Sequence, residues 1–316
     1  MNTQTSSKPI LWLAPMEGVV DFIMREFLTG FGGIDNCVTE FIRVVGRPVT
    51  DAVFLRDCPE LKTERRTAHG VPVTIQLLGS DFDWMAKNAL RAIELGAREI
   101  DLNFGCPAKT VNRHDGGATL LKSPDRLFQI VSQIRQQLPK EVPLSAKMRL
   151  GFENPEDCIE NAAAIVAGGA SHLTVHCRTK QQMYKPSADW NWISKIKSKV
   201  NIPIVANGDI FTVSDFQRCR EITGCDAFMI GRGALRDPLV FSKIKGLVAP
   251  ETLIDSKKML HFFHLNCAVS PYFAQARTKQ WLRNMAETST EMGPIFHQLK
   301  VISEPQQFEQ ELSRLL

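Results

Sequence analysis

The stretch VPVTIQLLGSDFDWMAKNALRAIELGAREIDLNF, residues 71–104, holds one full repeat of the pattern that decides the fold. Val71–Leu78 is a nearly continuous apolar run rich in β-branched residues, as in a strand buried on both faces of a parallel sheet. Asp83–Leu95 has apolar residues at helical spacing and ends at Gly96, a residue suited to a helix C-cap. Glu99–Phe104 then returns to the strand pattern. Strand, helix, strand is the crossover unit of parallel sheets.

The same pattern extends in both directions. Ile10–Ala14, Cys37–Ile42, Val142–Arg149, His172–His176, Ile202–Ala206 and Ala227–Ile230 are similar runs, spaced widely enough for a helix and two loops between them. Ser123-Pro124-Asp125 opens a helix with an N-cap and a first-turn proline. Glu156–Val166 and Val213–Ile222 read as helices, the second capped by Thr212. Val44–Gly70 has many charges and no clean period, and reads as a long irregular connection. Eight strands alternating with helices predict an α/β fold, a (β/α)₈ TIM barrel. A doubly wound open sheet is the alternative, disfavoured because no GxGxxG follows the first strand.

After Leu247 strand signals stop, so the expected organisation is a barrel over 1–247 and a small helical domain over 248–316. Lys257–Asn284 carries Lys257, Lys258, Arg277, Lys279 and Arg283 with no acidic residue, and Met285–Leu316 carries Lys300 and Arg314 against five glutamates. One basic face on the helical part is expected, with a solvated surface as the plain alternative.

The 316 residues suffice for a sizeable core without staples, and 38 Lys+Arg against 34 Asp+Glu is too mild an excess to demand a polyanion. The first nine residues are polar and lack the apolar stretch of a secretory signal. No apolar run reaches the roughly 18–20 residues of a membrane helix. The eight cysteines are scattered, without zinc-like spacing. A cytoplasmic protein with reduced thiols and no metal is expected.

In a barrel the chemistry collects at the C-terminal ends of the strands. Pro15-Met16-Glu17, Gln76, Asn103, Cys106, Lys147, Arg149, His176, Arg178, Asn207-Gly208-Asp209 and Gly231-Arg232-Gly233 all fall there. The two glycine-bearing turns suit a phosphate-bearing cofactor, or are plain tight turns. Cys106, between Gly105 and Pro107, is either packing or a proton donor, since an ordinary thiol is mostly protonated at neutral pH. His176 taken alone reads as a core histidine bonded to backbone. Tyr184 stacks on a base or covers the barrel edge, Trp190 and Trp192 read as packing outside the barrel, and 109–117 reads as a polar lid.

Four stretches go further: LAPMEGVVD (13–21), DLNFGCPAKTVNRHDGGATLLK (101–122), HCRTKQQMY (176–184), and ANGDI with IGRGAL (206–210 and 230–235). In these the chain resembles the tRNA-dihydrouridine synthases, and with ARTKQWL (276–282) their bacterial C-type branch. Phe104 departs from the family, where a small residue or cysteine is common. The resemblance implies FMN on Pro15, Met16, Glu17, Gln76, Lys147 and His176, with its phosphate on Asn207, Gly208, Asp209, Gly231 and Arg232. It implies NADPH as reductant, hydride transfer to C6 of a flipped uridine, and Cys106 as proton donor to C5. Asn103 would contact the base, Arg178 and Tyr184 its neighbours, and Arg43, Arg277, Lys279 and Lys300 would orient the tRNA for reduction at position 16. A monomer is expected. An FMN reductase of a free pyrimidine and a non-catalytic RNA-binding protein are the rival readings.

Overall fold

The computed structural model describes residues 8–316, so the polar extension read at the N-terminus falls largely outside the described residues. Nine parallel strands form one sheet: β1 (Ile10–Leu13), β2 (Asn36–Val38), β3 (Ile42–Arg43), β4 (Val73–Leu78), β5 (Ile100–Phe104), β6 (Leu144–Arg149), β7 (His172–His176), β8 (Ile204–Asn207) and β9 (Ala227–Ile230). β1 pairs with β9 on one side and β2 on the other, and β2 pairs with β4, which closes the ring. β3 also pairs with β4, one step further along (Cys37↔Val73, then Ile42↔Leu77). The two short strands are therefore successive pieces of a single stave, and the sheet is an eight-stave (β/α)₈ barrel.

The expected strand Cys37–Ile42 is thus broken in its middle. Thr39 stays on β4, its hydroxyl accepting from the Gln76 N–H at 3.1 Å, while the Glu40 carboxylate turns aside to accept from the Val19 N–H at 2.9 Å. The connection 44–70 is more ordered than its charges suggest. It contains a helix at Asp51–Asp57 and a 3₁₀ turn at Pro59–Lys62, anchored by Glu60, which accepts two hydrogen bonds from buried Arg25.

Helix boundaries follow local chemistry. Thr212 accepts from the Asp215 N–H while the Asp215 carboxylate accepts from the Thr212 N–H, a reciprocal capping box. Gly96, at φ +108°, lies just past the end of helix Phe82–Glu94. Ser123 occupies the N-cap position of Pro124–Gln137, but its side chain makes no capping bond, so the proline sets that start. The segment expected as a lid is internally folded: a helical turn at Lys109–Asn112 leads to a 3₁₀ segment at Gly117–Lys122. The Asn112 side chain donates to the carbonyls of Cys106 and Ala108, closing that loop on itself.

Four helices complete the chain: Lys257–Cys267, Pro271–Ala286, Met292–Leu299 and Pro305–Leu315. Their core is continuous with the barrel's. Phe262 and Trp281 each pack with ring centroids 5.0 Å from Phe27 of helix Phe22–Thr29, and the Trp281 indole donates to the Leu235 carbonyl. Among the described residues no helix is long and apolar enough to cross a membrane, and no acidic, histidine and cysteine cluster could hold a metal.

Candidate active site

A cavity of about 620 Å³ opens at the C-terminal ends of the strands. Pro15, Met16 and Glu17 line it from the loop after β1, Gln76 from β4, and Asn103 and Cys106 from β5 and its loop. Lys147, His176, Tyr184, Asn207-Gly208-Asp209 and Gly231-Arg232 complete the ring of expected residues. The wall formed by the C-terminal helices is Gln280, Arg283, Asn284 and Glu287, one polar face of helix Pro271–Ala286 and its C-cap.

Cys106 is 8% exposed and packs with Leu78 and Val111. Burial first, then the Glu17 carboxylate, pushes its thiol above the ordinary range, so the group is protonated at neutral pH. Its backbone is fixed by Asn103, whose side-chain oxygen accepts from the N–H groups of Gly105 and Cys106 at 3.0 and 2.9 Å. Arg149 supports the same loop, donating to the Gly105 carbonyl at 3.0 Å and to the carbonyls of Thr179 and Met183.

Across the cavity, Lys147 donates to the Asn207 side chain at 3.1 Å, and Asn207 donates to the Met229 carbonyl at 2.7 Å. Burial, then the Arg149 charge, lowers the Lys147 ammonium to about 8. His176 lies well below its usual range, from burial and from the cations Arg149, Lys147, Arg178 and Arg232 around it. It is neutral. Arg178, a donor only, sits 3.4 Å from its Nε2, which leaves the ring hydrogen on Nδ1.

Asp209 organises the turn after β8. At φ +52° it accepts from Arg178 and, at 2.9 Å, from Arg232, with a third bond from the Ala188 N–H at 2.8 Å. Gly208 beside it stands at φ +123°, where a Cβ would lie 2.9 Å from the Ala188 Cβ, so only glycine lets the turn sit this deep. Trp190 is not outside packing. Its indole donates to the Gly208 carbonyl at 2.8 Å and holds that turn.

Four expected nucleic-acid contacts are placed otherwise than on an open surface. Arg178 is buried, donating to the Pro186 carbonyl and to Asp209. Arg277 is buried and donates back to the carbonyls of Gly18 and Val19 beside Asp21. Lys279 donates to the Ile302 carbonyl and lies over the Phe308 ring, and Arg43 donates to the Thr110 carbonyl. Lys300 and Tyr184 are exposed, Tyr184 beneath the Arg232 guanidinium at 4.7 Å.

Sequence reasoning placed Arg149 at the barrel mouth but gave it no role, and left out other residues in and below the cavity. The face Gln280, Arg283, Asn284, Glu287 follows i, i+3, i+4, i+7 spacing, a signal that only means something once the helix is known to cover the mouth. Asp101 and Ser145, below the cavity, are polar residues within strands that read as apolar.

Comparison with known proteins agrees with this arrangement. A search of solved structures gives the same fold in histamine dehydrogenase from Rhizobium sp. 4-9 (TM-score 0.55, 15% identity, 75% of this chain and 45% of that one). A 2-naphthoyl-CoA reductase gives TM-score 0.57 at 13% identity over 74% of this chain and 49% of that one, so the chain spans about half of each. Among curated proteins, the chain is 44% identical over 310 residues to a tRNA-dihydrouridine(16) synthase of Neisseria meningitidis serogroup A, covering 96% of this chain and 93% of that protein. It is 48% identical over 295 residues to the protein of that name in Pseudomonas syringae pv. tomato, covering 91% and 93%. The family model described as dihydrouridine synthase matches residues 12–315. With a buried cysteine, a buried lysine and glycine-lined turns around one barrel mouth, the chain belongs to the dihydrouridine synthase family of flavin-dependent oxidoreductases.

Proposed function

We propose that this chain binds FMN and, with NADPH as reductant, reduces the C5–C6 bond of uridine 16 in tRNA. The observation that carries the reading is Cys106: a thiol kept protonated by burial, on a loop pinned by Asn103 and Arg149, facing a cavity walled by Lys147 and the turns after β8 and β9. Its relatives' names supply the substrate and the position.

The residues present fit FMN. Among the described residues Lys147 donates to Asn207 alone, which leaves N–H groups for the polar edge of an isoalloxazine. A cation there favours the electron-rich reduced ring. A Cβ at Gly208 or Gly231 would crowd Ala188 or Met16, so glycine backbone lines the cavity at both turns, as a phosphate cradle needs, and Arg232 has donors beyond the one given to Asp209. Lys147, Arg149, Arg232 and Arg283 line the cavity, with Arg178 buried behind them, against Glu17, Asp209 and Glu287, an excess of cations that an anionic cofactor offsets.

Bound and reduced, the flavin supplies the hydride that uracil C6 receives. The Cys106 thiol gives its proton to C5 and is reprotonated from solvent, so two electrons and two hydrogens are accounted for. The base must leave its stack to reach the cavity. Asn103 meets it, Tyr184 covers the entrance, and the polar face of helix Pro271–Ala286 meets flanking nucleotides. Arg277 and Arg178 act from inside, by holding the loops after β1 and β8. Lys300 faces the RNA around them, and Arg43 and Lys279 support that surface through the Thr110 and Ile302 carbonyls.

The test is position-resolved dihydrouridine mapping on unmodified tRNA with purified protein, FMN and NADPH. Reduction at position 16 alone is expected. Reduction at 17, 20 or 20a keeps the enzyme and overturns the site. A protein that binds FMN and oxidises NADPH but leaves tRNA untouched is a reductase of a smaller pyrimidine, and one that binds no flavin is no reductase.

A further inference from the structure

Beneath the cavity runs an unbroken chain of hydrogen bonds. The Ser145 hydroxyl donates to Asp101 Oδ1 at 2.7 Å, and Gln76 Nε2 donates to Asp101 Oδ2 at 2.6 Å. Asn103 Nδ2 donates to Gln76 Oε1 at 2.7 Å, and Asn103 Oδ1 accepts from the backbone N–H groups of Gly105 and Cys106. Asp101, Ser145 and Gln76 are buried, and the chain meets the cavity at Gln76 and at the partly buried Asn103.

The polarity of this chain is forced from both ends. Backbone N–H groups can only donate, so the end of Asn103 that meets them is its oxygen. An ionised carboxylate can only accept, so the end of Gln76 that meets Asp101 is its NH₂. Burial pushes the Asp101 carboxyl up, while the bonds from Gln76 and Ser145 and then the Lys147 charge act toward the ionised form, and the Asn103 end sets the same polarity on its own. The two amides in between have one arrangement that satisfies both constraints. It leaves Asn103 a single unclaimed polar hydrogen, on Nδ2, next to Cys106.

We infer that Asp101 is a positioning residue that, through Gln76, fixes Asn103 as a hydrogen-bond donor to the substrate base. An N–H donor pairs with a carbonyl oxygen and rejects an amino group, so the relay selects uracil, whose C4 carbonyl adjoins the reacting C5–C6 bond, over a base bearing an exocyclic amine at that carbon. This rests on the proposed uridine reductase activity and names what in the site enforces the choice of base.

The arrangement makes a reversible prediction. Asn103→Asp sets carboxylate, amide and carboxylate in a row, and whichever way Gln76 turns, two acceptors face each other. Asp101→Asn alone is mild, because the new amide can still offer its oxygen to Gln76 and its NH₂ to the Ser145 oxygen. The double variant, Asp101→Asn with Asn103→Asp, satisfies every bond again with Gln76 turned over, but now presents an acceptor to the base.

Flavin content, melting temperature and dihydrouridine formation are therefore measured on wild type, both single variants and the double variant. Asn103→Asp should lose bound flavin and melt roughly 5 °C lower. The double variant should regain flavin and melting temperature, and oxidise NADPH, yet form dihydrouridine roughly 100-fold more slowly or worse. No recovery of flavin and melting temperature in the double variant means the polarity is not coupled, and full recovery of dihydrouridine means Asn103 does not act as donor to the base; either overturns the inference. Wild type that forms no dihydrouridine overturns the functional reading instead, while the flavin and melting readouts still decide whether the relay is coupled.

Discussion

Cys106 differs from the other seven cysteines in what surrounds it rather than in its chemistry. All eight are unpaired, and burial raises Cys37, Cys58, Cys158, Cys177 and Cys219 as well. Cys106 alone lines the barrel-mouth cavity. Cys106→Ala should keep bound flavin and NADPH oxidation while dihydrouridine formation falls about 10²–10⁴-fold, the range for losing a general acid. Loss of flavin in that variant would assign the cysteine a packing role. A second residue, Glu99, sits at the opposite end of the barrel, accepting from the Thr74 hydroxyl at 3.0 Å. Burial, reinforced by Asp101, pushes its carboxyl up to about 7 from an ordinary 4.5. Between those values the folded state holds the extra proton, so this group's contribution to stability is full below about 4.5 and is lost as pH rises through about 7. Glu99→Gln, measured by thermal melting, should therefore gain on wild type by a few degrees between pH 5 and pH 8; a constant difference would place the carboxyl at its ordinary value. Residues such as Cys106, Lys147 and His176 were legible because they interrupt apolar runs at the expected ends of strands. Asp101 was not, because its role exists only through Gln76 and Asn103, on two different strands.

At the scale of elements, strand spacing and helix caps carried most of the fold. Thr212 and Gly96 act as their residue types suggest. The stave 36–43 was misread because its interruption is a tertiary event: Glu40 leaves the ladder for the Val19 N–H, a partner from another loop. Helix Arg232–Arg236 gives a sharper test. A Cβ at Gly233 would lie 2.2 Å from the Ile210 carbonyl oxygen, so the turns after β8 and β9 touch backbone to backbone there. Gly233→Ala should cost about 1–3 kcal/mol by overpacking and weaken flavin retention, seen as a lowered melting temperature and faster flavin release. Unchanged melting would mean the two turns separate freely.

For the molecule as a whole, the helical tail was legible as a tail, and its basic character as a count. What the count concealed is that Arg277 and Lys279 spend their donors inside the protein. Arg277 joins two regions far apart in sequence, reaching the Gly18 and Val19 carbonyls and pairing with Asp21, itself the cap of helix Phe22–Thr29. Arg277→Met should cost about 2–4 kcal/mol in urea unfolding, less than a wholly buried pair because Asp21 keeps some contact with water. It should also speed proteolysis between residues 248 and 256; equal rates would mean that the aromatic packing at Phe27 alone holds the tail. This tie also bears on how the protein is made. A nascent chain can close its ring of strands once β9 has left the ribosome, but the β1 loop that carries Pro15, Met16 and Glu17 gains its brace only after Arg277 has followed. The wall of the barrel-mouth cavity is therefore completed by a segment made after all nine strands, and a translation product cut short before Arg277 that forms the barrel still lacks that brace.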